Sequence, residues 1–176
     1  IACFAIFYLS TAFALGYGTT TLGYGRQAFL GFQLGAILFM AVGIVAAAWW
    51  ADVANPRRVL LAGCFATVAV GAVMGAMMGS GSAFLVWAWL SLALFVMGFV
   101  YGPLGAFLPS LFPPRVRYTG VSIAFNVGGI LGGGLAPIAA QLLADRGGLS
   151  LVGAYLAAAA FASLVGILFL KARYEE

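Results

Sequence analysis

Charge is scarce in this sequence: Asp, Glu, Lys and Arg make up only 7% of its 176 residues, against about 25% in a typical soluble domain. Hydrophobic residues account for 65%. A chain of this composition cannot cover a surface that faces water, so we expect a lipid bilayer around it. The formal net charge of +4 is spread between apolar runs rather than gathered in a patch, which argues against a nucleic-acid partner.

Histidine is absent and cysteine is rare. Without histidine there can be no His-based catalytic triad and no His-ligated zinc, and no metal or cofactor is indicated. Cys3 and Cys64 both lie in apolar runs, where they are most simply interpreted as small hydrophobic side chains. The middle of each apolar run also lacks Asp and Glu. The sequence therefore does not favour an enzyme.

Six apolar runs are long enough to cross a bilayer, for which a helix needs about 20 residues. They cover residues 2–20, 29–50, 59–79, 83–105, 119–143 and 151–170. The predicted fold class is an all-α membrane protein with six transmembrane helices in one domain, residues 1–176. Because Ile1 opens directly into an apolar run, without Met or a basic segment, we expect a fragment of a longer chain.

Basic residues divide unevenly between the two sides of the predicted bundle. One side receives Arg57, Arg58, Arg115, Arg117, Lys171 and Arg173. The other side receives Arg26 and Arg146. Cytoplasmic links carry the excess of Lys and Arg in membrane proteins, so the first side should be cytoplasmic.

Local sequence signals indicate two helix starts and a pair of interfacial tryptophans. Asn55 followed by Pro56 is typical of a helix start, and Thr119 is a second candidate N-cap. Trp87 and Trp89 follow a link on the outer side, where an interfacial aromatic belt is the preferred interpretation.

Uncharged polar residues are concentrated in the first, second, fourth and fifth runs. The third and sixth runs are therefore the predicted lipid-facing helices. Helical spacing places Trp87, Ser91, Gly98 and Tyr101 on one face, and Ser122, Asn126, Gly129 and Gly133 on another. We predict that the residues facing a cavity and binding a small polar solute are Tyr17, Gln33, Tyr101 and Asn126. Hydrogen bonding and aromatic packing between helices remain the alternative for each.

Glycines are dense in the fifth run. Gly128 and Gly132, and likewise Gly129 and Gly133, form two GxxxG spacings, which predict a close contact with a neighbouring helix. The alternative is a simple tolerance for glycine.

Several segments resemble the metabolite:proton symporters of the major facilitator superfamily. The segments YGP at residues 101–103, RVRYTG at 115–120 and GGILGGG at 128–134 resemble the link between that group's tenth and eleventh helices and the eleventh helix itself. FALGYGTT at residues 13–20 resembles its seventh helix. The resemblance implies the C-terminal six-helix half of a twelve-helix, multi-pass carrier of the bacterial inner membrane.

The same resemblance implies the solutes and the partner. The solutes are a small metabolite, which is an organic acid or a zwitterion, and a proton. The partner is the N-terminal six-helix half, and the two halves would work by alternating access. The short link at residues 51–58 resembles the superfamily's cytoplasmic loop motif in degenerate form. It implies a cytoplasmic gate or topology determinant of Asp52, Arg57, Arg58, Arg115 and Arg117. A six-helix membrane scaffold or half-size interaction protein without transport is the alternative function.

Overall fold

The protein is described by a computed structural model that covers residues 1–170, and every regular element in that range is helical. In chain order the α-helices are α1 (Ala2–Tyr8), α2 (Ala14–Thr20), α3 (Arg26–Val53), α4 (Pro56–Met78), α5 (Ala83–Tyr101), α6 (Leu104–Ser110), α7 (Arg117–Gly129) and α8 (Ala136–Phe169). Two π-helical turns, Leu9–Phe13 and Ile130–Gly134, join α1 to α2 and α7 to α8. Two residues of the predicted charge bias, Lys171 and Arg173, lie outside the described residues.

Within residues 1–170, five helical segments are long and apolar enough to cross a membrane: Ala2–Thr20, Arg26–Val53, Pro56–Met78, Ala83–Ser110 and Arg117–Phe169. The predicted all-α membrane protein is confirmed, but the structure has five such segments where the sequence predicts six. The difference lies in Arg117–Phe169, which is 53 residues long and replaces the runs predicted at 119–143 and 151–170. Its backbone leaves the helical conformation at Gly147 (φ −156°, ψ 19°) and Gly148 (φ 73°, ψ −169°).

Contacts between helices define two ends of the bundle. At one end the start of α1 borders a cavity of about 240 Å³ together with Leu60 and Phe107. At the opposite end the Tyr24 hydroxyl lies 3.5 Å from the Gly81 carbonyl oxygen. We call the first the α1 end. It holds the links between α3 and α4 and between α6 and α7, and with them the basic residues Arg57, Arg58, Arg115 and Arg117.

Helices approach most closely where glycines meet a neighbouring backbone. Gly98 of α5 lies directly against the Met40 carbonyl of α3, so that a Cβ at this position would overlap it. A Cβ at Gly71 of α4 would lie only 2.6 Å from the Gly153 carbonyl of α8. Small residues allow this approach inside a membrane because they bring two backbones into van der Waals contact.

The glycines of the fifth predicted run are placed differently from one another. Gly132 lies against the backbone of Ile1, and Gly133 lies against the Tyr8 ring. A Cβ at Gly128 or Gly129 would lie 3.8 Å from the Phe4 ring, which is an ordinary van der Waals distance. Close contact with α1 is therefore made at the second π-turn rather than along the whole glycine run.

The start of α4 confirms one predicted cap. Asn55 Oδ1 accepts a hydrogen bond from the Arg57 amide at 2.8 Å, and Pro56 occupies the first turn. The cap predicted at Thr119 is wrong, because α7 already begins at Arg117 and Val116 holds the capping position.

Trp89 corrects the prediction of an interfacial belt. Its side chain is fully buried, and its Nε1 donates a hydrogen bond to the Val70 carbonyl of α4 at 3.1 Å. The indole satisfies its polar N–H against a carbonyl in the protein interior, so it does not need the interface. Trp89 therefore anchors α5 to α4 within the core.

Candidate functional site

One side of the bundle is left uncovered. None of the residues of α7 is buried, and α3 buries only four of its 28 residues, Phe29, Ala36, Gly43 and Ala47. Large apolar side chains of α3 are strongly exposed, with Leu34 and Val45 both at 69%. We call the side formed by α3, α6 and α7 the uncovered face. The prediction that the third and sixth runs face lipid stays a prediction, because an exposed side chain of this bundle can face either lipid or another domain.

A groove of about 610 Å³ lies on the uncovered face between α6 and α7. Its polar lining comes from α7 alone: Arg117, Tyr118, Ser122 and Asn126. Pro109, Val121 and Phe125 line both this groove and a second hollow of about 240 Å³, which reaches Tyr101 and Ile44. The structure thus brings two predicted site residues, Tyr101 and Asn126, to adjoining parts of one surface.

Prolines shape this surface. α5 ends at Tyr101, and Gly102 and Pro103 separate it from the short helix α6. Proline has no backbone N–H and clashes with the preceding turn, so a helix changes direction there. In the following turn the Phe112 ring lies within 2.6 Å of where a Cβ at Gly120 would stand, and only a glycine allows α7 to pass so near.

Hydrogen bonds fix two polar side chains of the groove. Asn126 Nδ2 donates to the Ser122 carbonyl at 2.8 Å, which uses one of the two hydrogens of the amide. Arg117 Nε donates to the Phe112 carbonyl at 3.4 Å. A guanidinium, a phenol, a hydroxyl and an amide on one helix can together bind a small ligand that carries a carboxylate and further polar groups.

An aromatic cluster adjoins the groove. The Phe125 ring packs edge-on against Phe4, with centroids 4.9 Å apart, and its centroid lies 6.4 Å from that of Tyr101. Tyr8, which is 39% exposed, lies next to this cluster against Gly133. Sequence reasoning missed Tyr8 and Phe125; the only signal was an aromatic side chain within an apolar run, which is usually core.

Tyr17 and Gln33 do not border the groove. Tyr17 is half-buried and stacks on Phe13 with a centroid distance of 5.5 Å. Gln33 donates from Nε2 to the Ser10 carbonyl at 3.0 Å and to the Thr11 carbonyl at 2.8 Å. The contacts of both side chains are with the first helical segment.

The face predicted for the fourth run is only partly available to a ligand. Ser91 is 6% exposed, and Gly98 packs against the α3 backbone. Tyr101 alone among these is well exposed, at 41%. The other positions pack against neighbouring helices, because the small Gly98 lets the backbones of α3 and α5 approach each other closely.

The five predicted gate residues separate into three environments. Arg57 donates to two backbone carbonyls at the end of α8, Ile167 at 3.2 Å from Nε and Leu168 at 2.8 Å from Nη2. Arg117 lines the groove. Exposed positions at the α1 end are held by Asp52, Arg58 and Arg115. Arg57 thus joins helix ends through carbonyls rather than through a carboxylate.

Cysteine and carboxylate side chains do not gather into a metal site in residues 1–170, where no group of three His, Cys, Asp or Glu side chains is found. Cys3 and Cys64 are buried and free, as their apolar surroundings in the sequence predict.

Comparison with known proteins defines the class. Over almost its whole length the chain is homologous to bacterial proteins named as metabolite transporters, which confirms the resemblance to metabolite carriers. It is 37% identical over 174 residues to the inner membrane metabolite transport protein YhjE of Escherichia coli (strain K12), covering 96% of this chain and 39% of that protein. It is 30% identical over 182 residues to a putative metabolite transport protein of Haemophilus influenzae, covering 97% and 42%.

A third relative is the shikimate transporter of Escherichia coli (strain K12), 29% identical over 167 residues, with 93% of this chain and 38% of that protein covered. The chain thus spans about two fifths of the length of the relatives it matches. No protein-family model matches the chain. No solved structure matches it either. The apolar segments and the inner-membrane relative identify a multi-pass inner membrane protein.

Proposed function

We propose that the chain is half of a carrier that moves a small metabolite across the inner membrane. The observation that carries this proposal is the match of 96% of the chain to a metabolite transport protein. The names of the relatives favour transport over an enzymatic activity. The motifs at residues 101–134 support membership of the major facilitator superfamily and, within it, a proton-coupled organic acid or zwitterion carrier.

We infer that the bundle has six spans because segment Arg117–Phe169 reverses direction at its glycines. A continuous helix of its 53 residues would be about 80 Å long, against about 30 Å of hydrocarbon. Residues 149–169 run antiparallel to α4, since Leu149 lies near Gly79 at one end and Arg57 reaches Ile167 at the other.

Residues 117–146 run the other way. This part starts from the α1 end, where Leu111 borders the cavity, and leads to the opposite end, where Leu149 lies near Gly79. α1 and α4 both start at the α1 end, where they border one cavity. Two parts of one segment with opposite directions require a reversal between them, and the positive φ of Gly148 provides it.

The partner that best fits the uncovered face is the N-terminal six-helix half of the same carrier. The relatives are long enough for such a half, because about three fifths of each lies outside the match. Exposed Leu34 and Val45 on α3 would be covered by it. The solute would bind between the halves, and Tyr101 and Asn126 would form part of one wall.

The chemistry of that wall suits an anionic or zwitterionic solute. Arg117 would attract a carboxylate towards the groove, and Asn126 and Ser122 would hydrogen-bond its other polar groups. In the alternating-access cycle Asp52, Arg58 and Arg115 would meet the other half at the cytoplasmic gate, where exposed ion pairs are worth about 0–1 kcal/mol each. A proton-carrying carboxylate would belong to the other half, because Asp52 and Asp145 are both exposed.

Uptake measurements test this function. We expect cells that produce the carrier containing this chain to accumulate at least one solute from a panel of labelled organic acids, betaines and sugars. Asn126→Leu should lower that uptake about tenfold or more, because a solute hydrogen bond is lost. Insertion should be unaffected, because the side chain is exposed.

Gln141→Leu is the matched control. Gln141 is an exposed amide on α8 that bonds Asp145 at 2.9 Å, away from the groove, and its variant should transport normally. Normal uptake by Asn126→Leu would refute the site. If the unaltered carrier takes up none of the panel, the result favours the alternative, a membrane scaffold without transport.

A further inference from the structure

The first membrane segment is interrupted at its middle by the π-turn Leu9–Phe13. The Ala14 amide donates to the Leu9 carbonyl, five residues back, and to the Thr11 carbonyl, but not to the carbonyl of Ser10. A wide turn of this kind can leave a backbone acceptor without its usual donor, which is unfavourable within a bilayer.

Side chains donate further hydrogen bonds to carbonyls around this turn. Ser10 Oγ donates to the Ile6 carbonyl at 2.6 Å, and Thr11 Oγ1 donates to the Phe7 carbonyl at 2.7 Å. The carbonyls of Ser10 and Thr11 themselves receive both hydrogens of the Gln33 amide, at 3.0 and 2.8 Å. One side chain of α3 thus gives the Ser10 carbonyl a donor in place of the Ala14 amide and gives the Thr11 carbonyl a second one.

We propose that Gln33 is a positioning residue that clamps this π-turn open, and that it acts through its donors rather than as a ligand of the solute. The role in transport rests on the proposed function. With both amide hydrogens engaged, Gln33 has none to offer a solute. The proposal replaces the sequence prediction that Gln33 binds the solute directly.

The clamped turn lies beside the candidate site. Tyr8, which immediately precedes the turn, packs against Gly133, and Gly133 belongs to the second π-turn, Ile130–Gly134. The second π-turn is therefore in contact with the residue that directly precedes the first. π-turns are frequent at functional sites because they can convert to ordinary helix by a small shift of register. Gln33 would set which register the first segment holds, and with it the position of Tyr8.

Two substitutions at Gln33 distinguish a residue that holds the π-turn from a residue that binds the solute. Gln33→Leu keeps the bulk and removes both donor hydrogens, whereas Gln33→Glu keeps an acceptor oxygen and leaves at most one donor hydrogen. In the full carrier we expect both variants to speed backbone amide exchange at residues 9–15 about tenfold and to reduce uptake about tenfold. Gln27→Leu, at an exposed amide on the same helix, should change neither.

The possible results are distinct. Unchanged exchange in Gln33→Leu would overturn the clamp. Fast exchange with normal uptake in Gln33→Glu, together with no uptake by Gln33→Leu, would show that Gln33 accepts from the solute, and would also overturn the clamp. Faster exchange in both variants of a carrier that moves no solute would support the clamp while refuting the proposed function.

A second variant keeps the test decisive if Gln33→Leu fails to insert. Deleting the exposed Ala12 shortens the wide turn by one residue, so that the Ser10 carbonyl regains a backbone donor. The proposal expects this deletion to restore insertion of Gln33→Leu without restoring uptake. Failure of the deletion to restore insertion would contradict it.

Discussion

Arg57 shows how a single charged residue can act at the end of a membrane bundle. The last carbonyls of a helix have no intrahelical donor and carry the negative end of the helix dipole, so a cation placed there is favourable. Arg57 fills this role for α8 with two hydrogen bonds. It lies in the first turn of its own helix, α4, two residues after the Asn55 cap. Two helix ends are thus joined at the α1 end.

Replacing Arg57 should therefore loosen the protein, whereas replacing its neighbour should not. We expect Arg57→Gln to lower the stability by about 1 kcal/mol, seen as a lower midpoint of thermal unfolding in detergent. Arg58 is exposed, so Arg58→Gln should change stability by less than about 0.5 kcal/mol. Equal midpoints for the two variants would mean that the carbonyl contacts contribute nothing measurable.

Residue roles were predictable from the sequence only where the chemistry is local. The Asn55 cap follows from two adjacent residues and is confirmed, whereas the buried bond of Trp89 depends on a carbonyl of another helix. The same limit applies to Gln33. An amide in an apolar run needs a partner, but the sequence does not say whether the partner is a solute or a backbone.

At the level of helices, hydrophobic length predicts the positions of the segments to within a few residues, because the thickness of the bilayer sets that length. The π-turns were not predictable, since a widened turn changes neither composition nor length noticeably. The close glycine contacts were also missed at Gly98 and Gly153, because which glycine meets a neighbour depends on how each helix is rotated.

The reversal at Gly147 and Gly148 can be tested by locating this link relative to the membrane. With six spans, Arg146→Cys beside the reversal should react with a membrane-impermeant thiol reagent from the periplasmic side, as should Ser80→Cys in the link before α5. Asn55→Cys should react only from the cytoplasm.

If Arg146→Cys is instead unreactive from both sides, the link is buried in the bilayer and the six-span proposal fails. The two native cysteines are buried, and their replacement by alanine provides the background for all three variants.

For the molecule as a whole, the uncovered face is the feature that the sequence could not predict. Apolar composition predicts a membrane protein but does not tell a side chain that faces lipid from one that faces a second domain. The structure shows which helices are covered. α4 buries one side against α5 and α8, while α3 and α7 remain open around a groove with polar lining.

The most direct test of the carrier account is whether Asn126 meets water and solute. In the full carrier, without its native cysteines, Asn126→Cys should react with a hydrophilic thiol reagent, and a transported solute should slow that reaction. Phe65→Cys, on the exposed apolar side of α4, should stay unreactive because lipid surrounds it. If Asn126→Cys is as unreactive as Phe65→Cys, or reacts equally fast with saturating solute, the groove is not a wall of the solute path.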